Sequence, residues 1–321
     1  MSRLSLEVAD VRAEALDVLL VELRAVGGGT LDPFTPGAHL EIDLPNGLVR
    51  HYSLTNDWRE RDRYVVGVGR AAKGRGGSDF IHQSLRRGGK LTASAPRNNF
   101  GLDPNASSYL FVAGGIGVTP IVSMIRWCEA EGRDWRLVYA ARNAQRAAFY
   151  ETLRPFGAKV HFHFDDQAGA VLDTRRWLAD RPQGQHVYCC GPQPLMQAVH
   201  DGAAHHPGEA VHFEYFVAPA AALLTDSGAE VAPGAFRVEV KQSKLSLLVP
   251  ADRSILEVLE ANGVKVPFSC REGLCRTCET TVCEGEVDHR DYVLSTEERL
   301  QSKTMMVCVS RAKSPVLVLD R

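Results

Sequence analysis
The chain has no surplus of basic residues: 37 Lys and Arg stand against 39 Asp and Glu in 321 residues, a formal net charge of −2. Binders of nucleic acid or of anionic membranes draw affinity from a cationic surplus or stripe, so neither partner is expected. An apolar leader is also missing. The first fifteen residues carry Arg3, Glu7, Asp10, Arg12 and Glu14, which predicts no secretory signal and hence a cytoplasmic protein with reduced thiols. Internal repeats are absent, and so is an unbroken apolar run of membrane length. The charge-free residues 105–125 are interrupted by Gly114, Gly115, Gly117 and Pro120, the pattern of a buried strand turning into a helix. What remains, 45% hydrophobic and 24% charged residues, is ordinary for a globular protein with length enough for two or three cores.

Along residues 1–104, short alternating segments (4–11, 15–26, 39–44, 50–55 and 63–70) are punctuated by turns such as Pro45-Asn46-Gly47, and predict an antiparallel β-barrel. Over 105–216, strands alternate with helices, including one over 148–156, which implies a parallel sheet in an α/β domain. Residues 217–234 are rich in Ala, Pro and Gly and read as a linker. A third domain, 235–321, opens with a hairpin. Its first helix has Ser254 and Glu257 at capping-box spacing and Gly263 placed for a C-terminal stop.

Four of the eight cysteines fall within residues 266–285. Cys270, Cys275 and Cys278 are spaced CxxxxC then CxxC, and Cys308 follows on a strand-like segment, the plant-type spacing for a [2Fe-2S] cluster. A loop containing Gly273 can fold around such a cluster and turn N–H groups toward its sulfurs. A structural zinc site is the alternative, although it is normally built from two CxxC pairs and only one is present. Cys283 competes with Cys308 for the fourth position, but reads better as a small packed hydrophobe, as do Cys128 and Cys189.

The stretch Arg50-His51-Tyr52-Ser53-Leu54-Thr55 ends a barrel strand and offers an aromatic wall, a hydroxyl and a cation, the groups a flavin needs. Gly74-Arg75-Gly76-Gly77-Ser78 precedes a helical segment, where free N–H groups and Arg75 would cradle a phosphate. In the α/β domain, Gly114-Gly115-Ile116-Gly117-Val118-Thr119-Pro120 joins the first strand to the first helix and suits a dinucleotide pyrophosphate. Cys190-Gly191-Pro192 closes a later strand at the same sheet edge. Arg142, after the second strand, could meet a 2′-phosphate or the adenosine ribose. His161, His163 and Asp165 alternate along one segment, which allows a metal site but fits surface or core placement better.

Taken in order, RHYSLT, GRGGS, GGIGVTP, CGP, a terminal aromatic and CREGLC…C resemble the phthalate dioxygenase reductase family over essentially the whole chain. The resemblance implies an FMN-binding barrel, an NAD(H)-binding α/β domain and a β-grasp ferredoxin in a multidomain α+β protein. It further implies a cytoplasmic monomer that passes electrons from NADH to a Rieske-type terminal oxygenase, or alternatively to a cytochrome P450 or other monooxygenase. Carried over by motif, Arg50, His51, Tyr52, Ser53 and Leu54 would line the flavin, and Gly74, Arg75, Gly76, Gly77 and Ser78 its phosphate. Gly115, Gly117, Thr119 and Cys190 would meet the nicotinamide nucleotide, and Phe216 would cover the flavin ring, with Ser53, Cys190 and Phe216 at the point of hydride transfer. The cluster ligands would be Cys270, Cys275, Cys278 and Cys308. NADH surrenders two electrons at once and a [2Fe-2S] cluster takes one, so a flavin must stand between them. One departure is visible: the family usually has glycine where this chain has Arg276, a cation expected to act on the cluster or on an acidic partner.

Overall fold
Alternation of apolar and polar residues folds the start of the chain into β1 (Arg3–Ala15), β2 (Val18–Ala25), β3 (His39–Asp43), β4 (Val49–Ser53), β5 (Tyr64–Gly69) and β6 (Lys90–Ser94). The computed structural model describes residues 3–71, 76–180, 182–217 and 234–321, and the chain divides into two units, Met1–Glu214 and Tyr215–Arg321. The six strands pair antiparallel in the order β4-β3-β6-β1-β2-β5, and a bridge between Leu54 and Val66 joins the two ends into a barrel. Leu6, Val8, Leu23, Leu40, Ile42 and Val68 fill its core. β1 runs further than its sequence pattern predicts, turning into β2 at Asp17 with φ 63°. β6 carries too weak a pattern to be seen in sequence; pairing with β1 and β3 holds it. Helix α1 (Gly77–Ser84) lies between β5 and β6.

The chain then forms a parallel sheet of β7 (Ser108–Gly114), β8 (Asp134–Ala141), β9 (Val160–Phe164), β10 (Gln185–Cys190) and β11 (Val211–Glu214), in the order β11-β10-β7-β8-β9. Its helices are α2 (Val118–Ala130), α3 (Tyr150–Leu153), α4 (Asp165–Ala168), α5 (Arg175–Leu178) and α6 (Gln193–Gly202). The charge-free run 105–125 is thus β7 plus the start of α2. Among the described residues, no helix is long and apolar enough to cross a membrane. The helix expected over 148–156 shrinks to the single turn α3, followed by a 3-10 stretch, Arg154–Lys159; Pro155 cannot donate the backbone bond that an α-helix would require. One apolar cluster runs from Val18, Leu20 and Val65 of the barrel to Val118, Ile121 and Val122 of α2, joining barrel and sheet within the first unit.

The second unit contains β12 (Phe236–Val240), β13 (Leu245–Val249), α7 (Ile255–Ala261), β14 (Glu279–Glu284), β15 (Val287–Asp288), α8 (Thr296–Gln301), β16 (Thr304–Met306), β17 (Arg311–Ala312) and β18 (Val316–Leu319). Its main sheet runs β13-β12-β18-β14-β16, with β12 and β18 parallel; β15 and β17 make a small second ribbon. Ile255, Leu256 and Leu259 of α7 pack with Val238, Val249 and Leu317 of the sheet. The expected capping box is present at Ser254 and Glu257. Of the linker expected at 217–234, residues 218–233 lie outside the described residues.

Candidate flavin, nucleotide and iron-sulfur sites
Cys270, Cys275 and Cys278 sit on the irregular loop that leads into β14, and Cys308 follows β16. The pairing of β14 with β16 brings these distant segments together, with Glu279 opposite Met306. The Cys270 sulfur lies against those of Cys275 and Cys308, and the Cys308 sulfur against that of Cys278. The Glu272 and Leu274 amides both donate to Cys270 Sγ at 3.3 Å. The neighbouring Cys275 and Cys308 thiols and these two amides lower the Cys270 pKa to about 2, so this sulfur is a thiolate. Four converging cysteine sulfurs, with two amides aimed at one of them, fit an iron-sulfur cluster. Cys275, Cys278 and Cys308 are buried, whereas Cys283 is exposed on β14. His163 bonds to the Ala170 carbonyl at 2.8 Å, and Asp165 opens α4 instead of continuing β9.

In the barrel, two separate sequence motifs meet. A Cβ added to Gly77, at the start of α1, would lie 2.5 Å from Arg50 Nε, so the Arg50 side chain rests directly on the first turn of that helix. Gly76 precedes it as a left-handed N-cap with no side chain to occupy the helix's free N–H groups, an arrangement suited to an anion. The Ser78 hydroxyl accepts from the Ala71 amide at 3.2 Å. Gly74 and Arg75 lie outside the described residues. Burial pushes the Tyr52 phenol up to about 12 against the opposing pull of Arg50, which keeps it protonated at neutral pH. Ser53 is buried opposite His39; His51, on the same strand, stacks on the His39 ring at 5.3 Å.

The two glycines assigned to the nucleotide have different surroundings. Gly115 has φ 53° and open space where a Cβ would stand, whereas a Cβ on Gly117 would fall 2.2 Å from the Cys190 carbonyl oxygen. Gly117 therefore lets the start of α2 close on the end of β10, and Gly115 keeps the approach open. Thr119 packs its methyl on Gly67 of β5, the residue next to Val66, which bridges Leu54. The segment assigned to flavin and the segment assigned to nicotinamide thus converge on one short stretch of β5. Arg126 of α2 reinforces the seam by donating to the Thr55 carbonyl at 3.1 Å.

Cys190 is 1% exposed, and burial raises its thiol pKa well above the usual range. Beside it in the sheet register stands Glu214, which the sequence reading did not single out. Desolvation pushes the Glu214 carboxyl up to about 8. Its only sequence signal was an acid in the otherwise aromatic segment 213–216. Arg142 is exposed just past β8, and its carbonyl accepts from the Asp166 amide at 3.1 Å. Phe216 lies two residues past β11 and is 42% exposed.

Residues 238–313 match the family model for the 2Fe-2S iron-sulfur cluster binding domain, and residues 90–209 match that for the N-terminal domain of dimethylamine monooxygenase subunit DmmA-like proteins. The chain is 44% identical over 322 residues to phthalate dioxygenase reductase from Burkholderia cepacia, spanning 99% of this chain and 97% of that protein. A solved structure of phthalate dioxygenase reductase, described as modular for electron transfer from pyridine nucleotides to [2Fe-2S], is similar with a TM-score of 0.71 at 42% identity, over 100% of this chain and 98% of that one. An intact type IV self-sufficient cytochrome P450 monooxygenase is similar with a TM-score of 0.91 at 36% identity, over 99% of this chain and 41% of that one.

Proposed function
The chain belongs to the phthalate dioxygenase reductase family, and from that membership we propose that it moves electrons from NADH through FMN to a [2Fe-2S] cluster and on to a Rieske-type terminal oxygenase. It is an oxidoreductase serving an oxygenase partner. The observation that carries the reading is the seam on β5, where Leu54 bridges Val66 and Thr119 packs on Gly67. Hydride transfer needs donor and acceptor rings in contact, and this seam brings the flavin-side and nicotinamide-side segments to one place.

A bound flavin would accept the hydride's electron pair and release electrons singly, as the cluster requires. The chain's own residues supply the rest. Arg50 and the start of α1, with Gly76, Gly77 and Ser78, hold the flavin phosphate; Tyr52, Ser53 and Leu54 line its ring. The 3-10 turn Gly115–Gly117 that leads into α2 has no side-chain cap at Gly114 and would face the pyrophosphate, with Gly115 leaving room. Cys190, buried, and the neutral Glu214 beside it stand at the nicotinamide end. Cys270, Cys275, Cys278 and Cys308 hold the cluster. NADH is favoured over NADPH because Asp165 and Asp166 follow β9 beside Arg142 and would repel a 2′-phosphate. The domain limits 1–104, 105–216 and 235–321, a monomeric state and a cytoplasmic location belong to the same reading.

The alternative acceptor, a cytochrome P450, draws on the likeness to the self-sufficient monooxygenase; the reductase relative, matched over nearly its whole length, favours the oxygenase. The test is an absorption spectrum with identification of the released flavin, followed by anaerobic titration with NADH and NADPH. Flavin bleaching by NADH at far lower concentration than by NADPH is the expected result. A colourless protein, or a flavin that neither nucleotide reduces, refutes the reading.

A further inference from the structure
Arg271, Gly273 and Arg276 of the cluster loop all have φ in the left-handed region, 57°, 71° and 56°. That conformation is unfavourable for a side chain with a Cβ, so each arginine needs a compensating interaction. Arg271 has one within easy reach: both guanidinium nitrogens bond Glu260, at 3.0 and 2.8 Å. Arg276 reaches farther along the chain. It donates twice to Glu298, at 2.9 and 2.7 Å, and once to the Val293 carbonyl, at 2.7 Å.

Both targets of Arg276 belong to one internally hydrogen-bonded segment. Asp291 is fully buried and its Oδ1 accepts from the Val293 and Leu294 amides at 3.1 and 2.8 Å. Glu298 closes the α8 capping box by accepting from the Ser295 amide at 2.7 Å. Arg299 ties the segment from the other side, donating to the Leu294 carbonyl at 3.2 Å. The Tyr292 amide donates to the Gly273 carbonyl at 3.0 Å, and a Cβ on Gly273 would lie 3.0 Å from Asp291 Cα. Residues 291–298 therefore touch the cluster loop on both sides of Cys275: at Gly273, two residues before it, and at Arg276, one after.

We propose that residues 291–298 form a strap across the cluster loop, latched by the Arg276–Glu298 pair, and that Arg276 is a positioning residue that keeps Cys275 and Cys278 in ligating geometry. The charge expected to act on the cluster is not free to do so. Glu298 pairs with it directly and Glu279 lies 3.8 Å away, so the guanidinium and its partners present a short dipole instead of a lone cation. The inference rests on the proposed ligand set, and the wild-type visible spectrum tests that premise separately.

The test uses the full-length, cluster-loaded protein as wild type, R276A, R276G, E298Q and the R276A/E298Q double variant. Glutamine at 298 preserves the capping hydrogen bonds while weakening the latch. Loss of the visible spectrum to an iron chelator is timed, and the midpoint potential is measured. A latch predicts that R276A loses its cluster roughly tenfold faster than wild type, the scale set by breaking charge-assisted hydrogen bonds at a half-exposed site. E298Q should lose it faster too, with the double variant no worse than R276A and both single variants shifting the potential in the same direction. R276G relieves the left-handed strain, so it should fold readily and still release its cluster faster than wild type. L259A, which weakens the same core away from the strap, should leave the potential unchanged. Opposite shifts of potential in R276A and E298Q would mean that Arg276 acts as a charge and would overturn the proposal. So would wild-type release rates in R276G and E298Q.

Discussion

Glu214 is an acid that the fold keeps neutral. Its carboxyl titrates near 8 where an ordinary glutamate titrates at 4.5, because packing around it disfavours the charged form. Below the ordinary value both folded and unfolded chains hold the proton, and the group contributes nothing to pH dependence. Between the two values the unfolded chain releases the proton while the folded one retains it, so stability falls as pH rises; above about 8 the penalty is constant. Glu214→Gln removes that slope, and the expected outcome is a variant whose melting temperature declines less than wild type between pH 5 and 8. Parallel curves would show that Glu214 is solvated. Arg276 teaches a related lesson about reading residues singly. Its position between ligands was plain in sequence, and its left-handed φ was foreseeable from a glycine-like site. Its partner was not, because Glu298 lies 22 residues away and only the folded loop brings it near.

Helix beginnings separate by task. α7 and α8 open with Ser254 and Ser295, each in a capping box that occupies the first amides with the helix's own side chains. α1 opens on Gly76, which brings no side-chain acceptor and leaves those amides for a ligand, and α2 is led in by the 3-10 turn Gly115–Gly117, which likewise has no side-chain cap. The glycines around α2 permit a discriminating pair of substitutions. Gly117→Ala forces a methyl into the Cys190 carbonyl and should lower stability by about 3 kcal/mol, read as a drop in denaturant midpoint. Gly115→Ala meets open space and should cost only about 1–2 kcal/mol for its left-handed φ, yet weaken nucleotide binding more than folding. A Gly117→Ala protein as stable as wild type would contradict the close packing of α2 on β10. Much of this level was legible in sequence: the alternating strands, the Ser254 box and the strand-to-helix glycines are local signals. β6 was not, because KLTAS is only five residues long with Leu91 and Ala93 as its apolar positions, too short a signal without its neighbours β1 and β3. The 148–156 helix failed for the opposite reason, an apolar pattern overruled by Pro155.

The whole molecule assigns its chemistry to separate bodies of chain. Every residue proposed to hold flavin phosphate or pyrophosphate lies in Met1–Glu214, and all four cluster cysteines lie in Tyr215–Arg321. Cys275→Ser should therefore leave the rate of flavin reduction by NADH within about twofold of wild type while abolishing one-electron delivery to an acceptor, since the substitution is confined to the second body. Stopped-flow bleaching of the flavin checks the first half and acceptor reduction the second. Slow bleaching in a folded variant would break the modular scheme.

The pairing of β14 with β16 closes the widest sequence gap in the proposed ligand set. Three ligand cysteines are near neighbours in sequence, but Cys308 is separated from Cys278 by 29 residues, and closing a flexible loop of that length costs about 3 kcal/mol of chain entropy. The register that sets Glu279 opposite Met306 offsets part of that cost with backbone hydrogen bonds. The strand pairing and the cluster therefore close the same loop, and each supports the other. A lesion in the ribbon would starve the cell of holoprotein while leaving every ligand in place.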